Sequence, residues 1–306
     1  MLDASAGETD ADQYLPIGNP DQLFYEMHGR KFSAVNRSYL IPVDEDEIQR
    51  SNLINQLVKW MFNGFLFCGP VSKNLQFGPY RRVLDLGTGK GFWAVEMCDF
   101  YPWVRVTGVD TVPIQFQFEI WDLNTDEMPY DNGVFDFIHG RYIHEGIRDY
   151  RLLLREVKRL LRPGGVLLLI EPDLRQSYAS GEGPCGWFAL WETYRSCLSR
   201  LEIDVTVPQR LEELLEDTGD FEDIHVHERV IPIGFYPNDE DALSVGQLQW
   251  MAHDLFLPAL KPMFMQLGVV DVDRIITDAQ SDLYSSKFEL TGRLHIAYAT
   301  KSEDTS

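Results

Sequence analysis

Three glycines at a spacing of two, Gly87, Gly89 and Gly91, separate the apolar run Val83-Leu84-Asp85-Leu86 from a stretch where Trp93, Ala94 and Met97 recur at helical spacing. Strand, glycine turn and helix in that order make a crevice for a nucleotide-like ligand. Glycine permits the sharp turn at positive φ and, lacking Cβ, lets a ligand reach the backbone. The first N–H groups of the following helix face the same space. Asp110 lies 19 residues beyond Gly91, at the end of a second apolar run, Val104–Val109. A carboxylate there can accept hydrogen bonds from both hydroxyls of a ribose. Trp121 and Asp122 close a third run, in which Phe116, Phe118 and Ile120 alternate with polar residues. The expected cofactor contacts are Asp85, Gly87, Thr88, Gly89, Gly91, Asp110, Trp121 and Asp122.

A second group of candidates follows the fourth apolar run, Val134–Gly140: His139, Arg141, Tyr142 and His144. Substrates bind outside the carboxyl ends of strands in such folds. His144 is the candidate general base for an OH or NH acceptor; its plainer reading is a surface or helix-start histidine. Trp187, Trp191 and Tyr194 have helical spacing and suit either an apolar acceptor pocket or core packing. His225 and His227 alternate without further ligands, so no metal site is expected.

These residues need elements to hold them. A helical stripe runs from Ile48 to Phe67, behind the acidic segment Asp44-Glu45-Asp46-Glu47. Helices are expected to Phe100 and over Ile147–Leu161, and Arg162-Pro163-Gly164-Gly165 reads as a stop and turn. Val166–Ile170 is apolar throughout, as a central parallel strand should be. Alternating strands and helices make a doubly wound α/β sheet. Later come helices near Pro184–Leu201, Gln209–Asp217, Leu243–Leu257 and Asp271–Leu283, a strand at Ile224–Val230, and a last strand at Arg293–Thr300.

The 306 residues suit one large α/β domain with extensions. A net charge of −21 argues against direct nucleic-acid or anionic-membrane binding. Cys68, Cys98, Cys185 and Cys197 form no C-x-x-C pair and read as free thiols of a reducing compartment. No apolar run reaches the roughly 18 residues of a membrane span. The first residues resemble no signal peptide, so the expected location is cytoplasmic or nuclear rather than secreted.

Asp85-Leu86-Gly87-Thr88-Gly89-Lys90-Gly91 resembles motif I of class I S-adenosylmethionine-dependent methyltransferases. Gly108-Val109-Asp110 resembles the end of their second strand, and Leu161-Arg162-Pro163-Gly164-Gly165 their turn before strand five. More narrowly, several stretches resemble LaeA-like fungal methyltransferases of secondary metabolism. They include Gly29-Arg30-Lys31-Phe32, Ser38-Tyr39-Leu40-Ile41-Pro42, Pro113-Ile114-Gln115, Phe135 to Arg141, and Val230 to Gly234 with Tyr236-Pro237. The likeness spans roughly residues 24–300. It implies a Rossmann-like seven-stranded sheet whose last strand is antiparallel, with S-adenosylmethionine as cofactor. It also implies that Asp85 serves the cofactor's amino group, that Asp122 faces the adenine amino group, and that Tyr39 and Arg30 close over the site. NAD is the alternative ligand; the G-x-G-x-G spacing favours the methyl donor.

One feature departs from the pattern. Only Thr111 to Gln115 separate Asp110 from Phe116. A parallel crossover usually takes about a dozen residues. At up to about 3.6 Å per residue, five linkers barely return along a strand of about 17 Å. The third strand is therefore expected to be shortened, shifted or outside the sheet, which weakens the wall beside adenine. The expected layout is a disordered tail at 1–22, a helical extension or lid at 23–80, and a methyltransferase domain at 81–306, with acceptor-side insertions at about 174–220 and 231–290. The expected activity is methylation of a small-molecule secondary metabolite. The alternatives are a regulator with a protein partner and a cofactor-impaired scaffold.

Overall fold

The computed structural model describes residues 20–76, 80–112, 118–125, 127–178 and 183–303. The expected tail falls almost wholly outside them. After a short turn at Pro20–Leu23, strands β1 (Phe24–Met27) and β2 (Arg30–Ser33) form a hairpin, with Phe24 opposite Ser33. The extension expected at 23–80 as helical thus begins with a hairpin ahead of its helix. Four-residue strands are too short for alternation to stand out, but His28 and Gly29 between them both have positive φ, 52° and 76°. Such a pair suits a tight two-residue hairpin turn.

Helix α1 (Glu45–Met61) starts earlier than its apolar stripe suggests, with Glu45, Asp46 and Glu47 in its first turn. Negative charge there complements the helix dipole. A single turn, α2 (Val71–Asn74), leads to the main sheet. Its elements are β3 (Arg81–Leu86), α3 (Phe92–Phe100), β4 (Val104–Asp110), β5 (Phe118–Ile120), β6 (Phe135–Arg141), α4 (Tyr150–Leu160) and β7 (Leu161–Tyr178). Then follow α5 (Cys185–Arg200), α6 (Leu211–Glu216), β8 (Phe221–Ile233), α7 (Glu240–Ala259), α8 (Lys261–Gln266), α9 (Val272–Tyr284) and β9 (Leu290–Lys301).

The seven strands lie in the order β5-β4-β3-β6-β7-β9-β8. Only β9 runs against the rest, pairing antiparallel with both β7 and β8. Strand direction decides the faces: Val83, Val106 and Phe137 pack toward α1 and α3, while Leu84, Val109 and Ile138 pack toward α4 and α6. The two late stretches read as insertions carry α5 to α9. They enclose a third core around Trp187, Tyr194 and Phe264. From β3 the chain goes to β4 and β5 on one side, then crosses to β6 on the other. That switch point opens a crevice outside the carboxyl ends of β3 and β6.

The short crossover leaves the third strand in the sheet. β5 (Phe118–Ile120) pairs parallel with Gly108–Asp110 of β4; Phe116, the expected first residue of this run, lies outside the described residues. No helix among the described residues is long and apolar enough to cross a membrane.

Candidate active site

The glycine turn curls over the end of β3 with φ of 62° at Gly87, 58° at Gly89 and 77° at Gly91. The glycines have different neighbours. A Cβ on Gly87 would lie 2.6 Å from Ile143 Cγ2, and one on Gly91 would lie 2.4 Å from Phe118 Cζ. On Gly89 it would meet only Ser51 Oγ, at 3.5 Å. Gly87, Thr88 and Gly89 line the crevice. Gly91, expected beside the cofactor, instead caps α3 and makes room for Phe118.

Asp85 is buried at the crevice floor. Its Oδ2 accepts from Thr88 Oγ1 at 2.6 Å, and its Oδ1 lies 2.7 Å from His139 Nδ1. The His139 ring stacks on Trp93, with centroids 3.9 Å apart. Burial pulls the His139 pKa below its ordinary value against the opposing pull of Asp85, so the ring is neutral near pH 7. Its Nδ1–H donates to Asp85, which leaves Nε2 buried on the crevice wall without a partner. Asp85 therefore ties the turn to β6; any hold on a ligand uses lone pairs left over.

Asp110 Oδ2 accepts from the Gly89 N–H at 2.8 Å, and Oδ1 from the Val112 N–H at 3.2 Å. Burial raises its pKa to about 6 although these N–H groups favour the charged form. The Asp110 carbonyl accepts from the Trp121 N–H at 2.8 Å, which brings the Trp121-Asp122 wall beside it. Asp122 Oδ1 accepts from the Asn124 N–H at 3.0 Å and from Asn36 Nδ2 at 3.4 Å. Trp121 Nε1 is buried with no partner. The crevice thus gathers the carboxylates of Asp85, Asp110 and Asp122, an open glycine and two orphaned ring nitrogens, a set that suits the ribose and base of a nucleoside that carries an amino acid.

A family profile described as a methyltransferase domain matches residues 54–226, more than half of the sequence. The chain belongs to the LaeA-like class I methyltransferases. The methyltransferase pytC of Aspergillus terreus is 30% identical over 81% of this chain and 77% of its own length. The secondary metabolism regulator laeA of Coprinopsis cinerea is 29% identical over 96% and 80%. The methyltransferase str2 of Strobilurus tenacellus is 24% identical over 78% and 86%. The methyl donor is S-adenosylmethionine.

The methyltransferase roofs its crevice with residues that lie before the matched span. Asn36, Tyr39, Glu47, Arg50 and Ser51 all face it. Arg50 forks onto Glu47 through contacts of 2.6 and 2.7 Å, and its guanidinium lies over the Phe256 ring, 4.8 Å from the centroid. Tyr39 reaches the crevice as expected from the resemblance. Arg30 does not; it pairs with Asp44 and so anchors the start of α1. Glu47 closes the acidic stretch Asp44–Glu47, which resembles the LaeA-like pattern, but Arg50 carried no motif, and only their place one turn apart on α1 marks the two as partners.

The acceptor-side candidates divide. His144 is fully buried and away from the crevice, with Nδ1 3.0 Å from Glu171 Oε2. Burial lowers its pKa, but Glu171 raises it further, for a net rise. Fully buried and off the crevice lining, His144 reaches no acceptor there, so the expected role as general base is corrected to a strut. Glu171 also accepts from the Ile143 N–H at 3.1 Å and from the Tyr150 hydroxyl at 2.9 Å. Trp187, Trp191 and Tyr194 all belong to the third core, and Trp191 also lines a cavity beside the crevice. Tyr142 follows β6 at φ 57°, a strained value for a bulky residue. It lines both the crevice and that neighbouring cavity.

Proposed function

We propose that this methyltransferase tailors a small secondary metabolite, with the crevice between β3 and β6 as its S-adenosylmethionine site. The observation that carries the reading is Asp110: a part-buried carboxylate held by the Gly89 N–H at the mouth of the glycine turn. Gly87 to Gly89 would run along the methionyl and ribose parts, Asp110 would accept from the ribose hydroxyls, and Trp121 with Asp122 would border the base. Bound S-adenosylmethionine supplies a methyl group already activated on a sulfonium. The protein's part is alignment and exclusion of water, which the roof from α1 and Tyr39 serves.

A second reading makes the chain a regulator of secondary metabolism that acts with a protein partner. The match to laeA, which runs over 96% of this chain, favours it. The impaired-scaffold reading loses its support, because β5 keeps Trp121 and Asp122 on the crevice. Calorimetric titration with S-adenosylhomocysteine, followed by incubation with labelled donor and a fractionated cell extract, separates these readings. Micromolar binding with label in the small-molecule fraction is expected. Label confined to protein would favour the regulator, and absent binding would overturn the donor site.

A further inference from the structure

Among the described residues the crevice lining carries three Lys or Arg side chains, Arg50, Lys90 and Arg141. Arg50 is forked onto Glu47. Lys90 follows Gly89, whose N–H holds Asp110, so it belongs to the ribose side. Arg141 differs from both. It is part-buried, and its single hydrogen bond among the described residues runs from Nη2 to the neutral Asn55 Oδ1, at 3.1 Å. Burial pulls its pKa below the ordinary value, while Asp85 and Glu96 pull the other way without pairing with it. The other N–H groups of the fork are not among the sealed orphan atoms, so they open to the crevice. Water can satisfy those N–H groups, but it cannot balance a charge withdrawn from bulk solvent. A carboxylate can do both.

Sheet register fixes where that carboxylate comes from. Leu86 pairs with Val109 on one side and with Gly140 on the other, so the next level across the sheet is Asp110, Gly87, Arg141. Two strand spacings of about 4.8 Å each put the ends of β4 and β6 roughly 10 Å apart, with the glycine turn between them. The base wall, Trp121 and Asp122, lies beyond Asp110 at the end of β5. A ligand with its base at β5 and its ribose at Asp110 therefore runs its amino-acid end across Gly87 toward Arg141. The arginine is also held in place. Tyr142, at φ 57°, donates its N–H to the Ile170 carbonyl at 2.9 Å and turns the chain directly after Arg141. Asn55 is buried on α1, and its Nδ2 donates to Glu96 Oε1 at 3.2 Å. Lys59 pairs with Glu96 Oε2 at 2.7 Å. An ionised carboxylate only accepts, so the Asn55 amide group must face Glu96 and its oxygen must face Arg141.

We infer that Arg141 takes the carboxylate of the cofactor's amino-acid end on the open side of its fork, and that Asn55 is the positioning residue that aims it. The inference rests on the donor-site reading and moves Arg141 from the acceptor side of the site to the cofactor.

The test compares S-adenosylhomocysteine with its decarboxylated amine, which keeps base, ribose, sulfur and amino group and lacks only the carboxylate. Calorimetry gives both Kd values, and their ratio is the readout. The wild type should prefer S-adenosylhomocysteine about 30-fold, the worth of a charge-assisted fork. Arg141→Gln should abolish that preference without weakening the amine. Should this variant not fold, Arg141→Lys, which keeps the charge but loses the fork, should cut the preference about fivefold. Asn55→Ala should cut it about threefold, because the fork stays charged but loses its aim. A general loss of structure would weaken both ligands alike and leave the ratio unchanged. The inference is overturned if the wild type binds the two ligands equally, or if a folded Arg141 variant keeps the wild-type ratio. An unchanged ratio in Asn55→Ala removes the positioning role. Absence of binding by either ligand to the wild type would overturn the donor site itself, and this inference with it.

Discussion

Asp110→Asn should weaken S-adenosylhomocysteine binding and also remove its pH dependence. Each Asp110 oxygen has one lone pair on a backbone N–H, from Gly89 or Val112, and one left for a ribose hydroxyl. A hydrogen bond to a charged group nets about 1.5–3 kcal/mol. The amide keeps one accepting oxygen but loses the charge, and it turns an NH2 group toward one of those N–H donors. A loss of about 3 kcal/mol is expected, or roughly 150-fold in Kd. The pH effect follows from burial, which holds the free carboxyl at about 6. The ligand favours the ionised form, so affinity should be flat above about pH 7. It should fall up to tenfold per unit as pH drops below about 6. In Asp110→Asn that slope should vanish. Calorimetry from pH 5 to 8 on both proteins is the assay. A wild-type Kd that stays constant across this range, or an Asn variant within threefold of wild type at pH 7.5, would refute the ribose assignment.

Gly91→Ala and Gly89→Ala should fail in different ways. The first drives a methyl into Phe118 and forces alanine into φ 77°, so the urea midpoint should fall by an equivalent of about 2–5 kcal/mol; the second faces open crevice and should lose cofactor affinity with about 1 kcal/mol of stability. His253 titrates at about 4 in the folded chain against about 6.5 unfolded. The unfolded chain binds the extra proton between those values, so this group's stabilisation is complete above about pH 6.5. It is lost as pH falls toward 4, by up to about 3 kcal/mol. Urea midpoints of wild type minus His253→Gln against pH read that difference.

The strands nearest the crevice were legible because both their faces are covered. Val166–Ile170 is apolar throughout, Val83–Leu86 is broken only by the buried Asp85, and the run Val104–Val109 keeps only Arg105 exposed; all three strands lie inside the sheet and pair in parallel with a neighbour. Asp85, Gly87, Thr88, Gly89 and Asp110 share a crevice because each sits within a few residues of a strand end, and strand ends meet wherever a parallel sheet forms. The hairpin β1–β2 escaped notice, since four residues give two alternations at most. The roof escaped for a different reason. Arg50 and Ser51 lie on a helix whose stripe speaks only of burial, and what they cover depends on α1 packing against α7. His144 misled because its partner Glu171 lies 27 residues on, inside the next strand. No local pattern distinguishes a histidine beside a strand that is free from one locked by the neighbouring strand's carboxylate.

The short crossover sharpens the same point, since length alone predicted a damaged site. A crossover helix normally fixes the edge strand by covering its face. Here one ring takes on part of that work. Phe118 occupies the volume that a Cβ on Gly91 and one on Gly108 would claim, at 2.4 and 2.3 Å from those positions. Two glycines, one in the turn and one in β4, thus form a socket for the first residue of β5. Three parallel pairs with β4 then suffice to deliver Trp121 and Asp122 to the crevice. The third glycine of the motif therefore serves the base end of the site indirectly. It positions the wall through Phe118, so motif I and the short crossover depend on one another in this chain.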